Sequence, residues 1–133
     1  MDRPNFIANG NIVASTFVKL DASQTMPSVI QAAANSDKLI GVSKESTDAC
    51  PTPTLSGTQY AAVQGENCHV YQVGEYCMIM TGAGGLTQND FVTSDGSGNG
   101  ITASAGQIYG AIALMTAPAS TLCRVRVTDP IKM

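Results

Sequence analysis

Leu122-Cys-Arg-Val-Arg-Val-Thr128 alternates residue by residue: Cys123, Val125 and Val127 fall on one side of an extended chain, and Arg124, Arg126 and Thr128 on the other. A period of two belongs to a strand with one buried and one wet face. The chain leading up to it reads the same way. Ile108 to Thr116 is a second β-rich run, and positions 82 to 110 hold eight of the thirteen glycines, so the chain reverses often there. Phe91 to Ser94 and Ile101 to Ala103 are joined by Asp95-Gly-Ser-Gly-Asn-Gly100, whose Asp-Gly and Asn-Gly pairs accept positive φ and predict a tight hairpin.

Further toward the N-terminus, Ile12 to Leu20 reads as one extended segment rich in β-branched and aromatic residues. Leu39 to Ser43 is a short strand in which Gly41 admits the close approach of another backbone. Tyr60 to Val63 and Cys68 to Val73 flank Gly65-Glu66, a predicted hairpin, and Tyr76 to Thr81 continues it as a meander. Helical spacing fails over any capped window; Val29 to Ala34 is the one stretch that could form a helical turn. Ser43 to Gln59 carries Pro51, Pro53 and Ser56-Gly57 without alternation and reads as a long exposed loop, a candidate contact surface. The sum is an all-β fold, a single small barrel or sandwich of eight or nine short strands. A length of 133 residues fits one domain, and 44% apolar residues supply a core that needs neither metal nor disulfide.

Charged residues make up 13% of the chain and the net charge is −3, with no basic run. A protein that neutralises many phosphates needs a positive stripe, so the composition argues against nucleic acid, and against polybasic attraction to a membrane. The first ten residues lack the charged and apolar regions of a leader, and the longest apolar stretch, Ala111 to Met115, falls far short of a membrane span. The expected compartment is cytosol-like and reducing. Cys50, Cys68, Cys77 and Cys123 are therefore expected as four free thiols, three of them inside apolar strand-like runs and Cys50 exposed beside prolines.

The chemistry-bearing patterns resolve into turns and surface residues. Asp95 to Gly100 imitates the first half of a calcium loop, but Gly106 stands where a closing Glu is required. Thr81-Gly-Ala-Gly-Gly-Leu86 lacks the Lys-Ser or Lys-Thr pair of a phosphate cradle. His69 is the sole histidine, and on a strand it points away from its neighbour Cys68. No G-x-S-x-G elbow and no paired carboxylates on one strand are present. The expectation is a protein that works through its surface: not an enzyme, with no cofactor and no metal.

The order of several phrases then resembles the head decoration, or capsid cement, proteins of tailed bacteriophages. These are Gly10-Asn-Ile-Val-Ala-Ser-Thr-Phe-Val-Lys-Leu-Asp21, Val29-Ile-Gln-Ala-Ala-Ala34, Leu39-Ile-Gly-Val-Ser43, the Gly65-Glu66 turn, Leu86-Thr-Gln-Asn-Asp-Phe-Val-Thr-Ser-Asp-Gly96, Gly100-Ile-Thr-Ala103, Gly110-Ala-Ile-Ala-Leu114 and Leu122-Cys-Arg-Val-Arg-Val127. The prolines and Cys50 of the long loop depart from that pattern. The resemblance implies that Val29 to Ala34 is a strand. It further implies a protein made in the host bacterial cytoplasm that binds the outer surface of the expanded head. There it would clamp neighbouring major capsid protein subunits, as a homo-oligomer with a trimer favoured and a dimer possible.

On this reading residues 1–9 form an N-terminal arm ahead of a domain spanning 10–133. Asp2, Arg3, Pro4, Asn5, Phe6 and Ile7 are the expected capsid contacts, because Phe6 and Ile7 follow a Pro at a chain end with no evident strand partner. Phe17, Tyr71 and Tyr76 are expected in the core or between subunits, since aromatics are only 5% of the chain. The rival readings are a receptor- or glycan-binding β module, disfavoured by the absence of Trp, a small β-barrel hydrolase or isomerase, and a minor head-tail structural protein.

Overall fold

The computed structural model describes residues 6–21, 27–44, 60–62, 64–65 and 67–133. They form no helix; thirteen strands carry the fold. The first five are β1 (Phe6–Ala8), β2 (Ile12–Val13), β3 (Phe17–Leu20), β4 (Ser28–Gln31) and β5 (Leu39–Ser43). The middle group is β6 (Tyr60–Ala62), β7 (Asn67–Cys68), β8 (Val70–Tyr71) and β9 (Tyr76–Met80). The last four are β10 (Phe91–Ser94), β11 (Gly100–Thr102), β12 (Ile108–Ala113) and β13 (Leu122–Lys132). A six-stranded sheet runs β7-β1-β4-β3-β5-β8, a five-stranded sheet runs β11-β10-β12-β13-β9, and β2 and β6 make a separate pair.

The two large sheets pack face to face, as an all-β chain of alternating pattern requires. Between them lies the main core. Phe17, Leu39 and Val42 come from the six-stranded sheet and Ile79, Val92 and Val125 from the other. The alternation of β13 is realised here: Cys123, Val125 and Val127 are buried, while Arg124 and Arg126 are exposed. The six-stranded sheet is buried on its far face as well. Phe17 points into the main core, and its neighbour Val18 joins Phe6, Ile12, Val29, Ala62 and Val70 in a second cluster under the β2–β6 pair. That double burial explains why β3, β4 and β5 read as apolar runs rather than clean alternations.

Three sequence expectations change. Ile12 to Leu20 is broken into two strands at Ala14-Ser15, where Ser15 adopts φ 58°. Its backbone is held from both sides, the Met80 N–H donating to the Ser15 carbonyl at 2.8 Å. The Ser43 hydroxyl completes the corner, accepting from the Thr16 N–H at 3.1 Å and donating to the Val13 carbonyl at 2.9 Å.

The predicted hairpin across Gly65 does not form: β6 pairs with β2 and β7 with β1. Gly65 does make a turn at φ 91°, its N–H donating to the Ala8 carbonyl at 2.8 Å, so the turn residue was legible and its partners were not. Nor do the next strands continue a meander, because β8 closes the edge of one sheet and β9 the edge of the other.

The arm is the third correction. Phe6 and Ile7 lie in β1, which pairs in parallel with β4 and antiparallel with β7, so the folded domain begins before Gly10. The Ile7 N–H donates to the Pro27 carbonyl and the Asn9 N–H to the Val29 carbonyl, both at 3.0 Å. A parallel partner more than twenty residues away leaves no local signature, which is why the segment reads as unpartnered.

Val29 to Ala34 is strand over its first part: β4 ends at Gln31, and the chain then turns on Asp37. The Asp37 carboxylate accepts from the N–H groups of Ala33 at 2.9 Å and Ala34 at 3.0 Å, and pairs with the Lys19 ammonium at 3.0 Å. Burial works to raise its pKa. The Ala33 N–H, the Lys19 charge and the Ala34 N–H outweigh that and hold the carboxyl below its ordinary range.

Candidate interaction surface

Of the expected capsid contacts, Asp2, Arg3, Pro4 and Asn5 lie outside the described residues. Phe6 is 9% exposed and packs in the second cluster, with Ile7 half-buried beside it. Phe6 is therefore a fold residue in this structure and not a free anchor. The long loop beyond Lys44, and Cys50 with it, also lies outside the described residues.

The hairpin of Asp95 to Gly100 forms as its sequence predicts, and it points inward. The Asp95 carboxylate accepts from the Ser97 N–H at 2.8 Å and the Asn99 N–H at 3.0 Å, so it organises its own turn. The turn docks on the six-stranded sheet: Phe17 N–H donates to the Gly98 carbonyl at 2.8 Å and Gln31 Nε2 donates to the Ser97 carbonyl at 2.5 Å. Thr81 to Leu86 is a turn closed by the Leu86–Ala117 bridge. His69 is exposed between β7 and β8, beside a cleft of about 190 Å³ lined by Lys44, His69, Val70 and Tyr71. No carboxylate is among those four side chains. Among the described residues no three His, Cys, Asp or Glu side chains come close enough to hold a metal ion, and no helix is long and apolar enough to cross a membrane.

Cys68, Cys77 and Cys123 are buried thiols, none of them in a disulfide. Burial pushes the Cys68 thiol from its ordinary 9.0 up to about 11. The folded state thus keeps a proton that the unfolded chain releases near pH 9. The stabilisation is full below about pH 9 and is lost as pH rises toward about 11. Urea unfolding followed at rising pH is expected to show that decline, and Cys68→Ala is expected to make it shallower, with burial of the Cys123 thiol, also pushed up, supplying part of what remains. Unchanged alkaline stability of the native protein would contradict the assignment.

Several of the exposed large apolar side chains, Tyr76, Phe91 and Leu122 among them, lie on the outer face of the five-stranded sheet. Its register lines up Tyr76, Arg126, Ile112 and Phe91 in one cross-strand row, then Met78 beside Arg124, and Met80 beside Leu122. Tyr76 is 65% exposed, and Phe91 stacks against Tyr109 with ring centroids 4.4 Å apart. Of the aromatics expected inside or between subunits, Phe17 is core and Tyr71 packs against the core, whereas Tyr76 stands out from the chain. Arg124 and Arg126 are exposed, and the Lys19–Asp37 pair lies elsewhere, on the six-stranded sheet side. An acidic protein thus carries a weakly basic sheet face with exposed apolar side chains.

The two stacked sheets define an all-β sandwich whose five-stranded layer is curled toward a half-barrel. Among solved structures this chain is similar to the head fiber gp8.5 N base of bacteriophage phi29, with a TM-score of 0.63, 10% identity, and coverage of 98% of this chain and 97% of that one. The likeness is one of fold over essentially the whole of both chains. No protein-family model matches the chain, and no curated protein matches it.

Proposed function

We propose that this chain is a structural protein of a phage head. It binds the outer surface of the capsid as a decoration or cement protein, across neighbouring major capsid protein subunits. The observation that carries the reading is the end-to-end correspondence in fold with a phage head fiber base. The finer assignment draws on the order of strand and turn phrases that resembles decoration proteins, and on the exposed apolar face with its two arginines. Binding by many weak, symmetry-repeated contacts needs no chemistry, only surface and copy number. The role is non-enzymatic, without nucleic acid or membrane as partner.

The same neighbour favours a second reading. That protein is the base of a head fiber, and the alternative it favours for this chain is the foot of a head appendage. Copy number per particle, from quantitative gel analysis of purified virions, tests the proposal. Hundreds of copies are expected of a cement protein; a few copies at one vertex would overturn it in favour of a head-tail component.

A further inference from the structure

The five-stranded sheet ends on β9, Tyr76-Cys-Met-Ile-Met80, a five-residue strand with no charge, no Pro and no bulge. Edges are ordinarily blunted by shortness, charge or a covering segment. The other edges follow that rule: β7 and β8 are two residues each, and β11, of three, is covered where Thr81 bridges Gly100 and the Gly82 N–H donates to the Gly100 carbonyl at 2.8 Å. Among the described residues, β9 is left open over part of its length.

Its ladder to β13 shows which part. Thr81 N–H donates to Thr121 and Val127 N–H to Glu75, so the odd-numbered residues turn their backbone groups toward β13 and the even-numbered ones turn outward. Of the outward set, Met80 donates its N–H to Ser15 at 2.8 Å. Tyr76 and Met78 have no backbone partner among the described residues on that side.

We propose that a second copy of this chain occupies this edge, pairing β9 antiparallel with β9 about a two-fold axis at Cys77. In that register Tyr76 lies opposite the other copy's Met78 and Met78 opposite its Tyr76. All the open N–H and C=O groups of both residues in both copies are then matched, which neither neighbouring register achieves, since each spends a bond on Met80 or on the turn at Gly74. Tyr76 and Met78 project from the outer face, so each bonded pair also sets an aromatic beside a thioether. The arginines of the two copies stay three strands apart, beyond the screening length of physiological salt. The two-fold stands perpendicular to the sheet, so both apolar faces point the same way and form one ten-stranded surface. This favours a dimer over the trimer that the sequence resemblance implies.

Sedimentation velocity of the full chain over a wide concentration range, with amide exchange read residue by residue, tests it. The expected result is a monomer–dimer equilibrium in which the Tyr76 and Met78 amides become protected as dimer forms. Met78→Lys, at a half-exposed position, is expected to weaken association at least about tenfold, by leaving a charge at a contact that excludes it, without lowering the melting temperature. Should that variant misfold, the wild-type exchange data decide alone. A monomer at every concentration, a trimer, or a dimer whose Tyr76 and Met78 amides stay unprotected would overturn the proposal. None of these results depends on capsid binding.

Discussion

Phe17→Ala is expected to lower the stability of the domain by about 3–5 kcal/mol, the usual loss for a fully buried aromatic. Phe17 is the largest of the wholly buried side chains and sits where the two sheets meet. A Cβ on Gly110 would stand 3.6 Å from the Phe17 ring, and Leu39, Val42, Ala111 and Ala113 belong to the same cluster. Removing the ring leaves a cavity there, and the cavity contribution comes on top of the lost transfer energy. Against a total of roughly 5–15 kcal/mol for a domain, the variant sits near the threshold of unfolding. Urea unfolding is the measurement, with Leu20→Ala, at a position 52% exposed, as the control expected within about 0.5 kcal/mol of the parent. Equal effects at the two positions would contradict the packing described.

Gly41→Ala is expected to cost about 3 kcal/mol for a single added methyl, the upper end of what overpacking does. A Cβ at Gly41 would run into the Tyr71 carbonyl oxygen and lie 2.6 Å from Val70 Cγ1. The obstacle on one side is backbone, so no rotamer change relieves it. β5 is also pinned between β3 and β8 and cannot retreat from one without leaving the other. The expected signature is a lowered urea midpoint together with faster amide exchange at Val70 and Tyr71, the edge that must give way. A midpoint within error of the parent would show that β8 does not lie across Gly41.

Gly41 shows what a sequence can and cannot carry. The glycine flagged a close backbone approach, and the approach is there, but the approaching strand could not be named. The same holds at Gly65, where a turn was legible and the strands on either side went to other partners. Local signals worked where the structure is local: the alternation of β13, the Asp95 hairpin, and the burial of Cys68, Cys77 and Cys123. They failed where pairing is distant, as for Phe6 and Ile7 in β1. They also failed where one residue switches the chain's direction, as Ser15 does with its positive φ.

The candidate surface was only half visible. Arg124 and Arg126 stood out by their period, but the row joining Tyr76, Arg126, Ile112 and Phe91 exists only once three registers are known. Tyr76 carried no sequence mark of facing outward. Among the described residues, Thr81 and Ser15 hold the end of β9 and nothing pairs with the outward side of its start.

The central claim is that this chain recognises the outside of a phage head, and co-sedimentation of the purified protein with heads of the parent phage tests it most directly. Saturable binding to expanded heads, at a fixed number of copies per symmetry site and absent from unexpanded precursors, is the predicted result. Failure to bind either form would contradict the account.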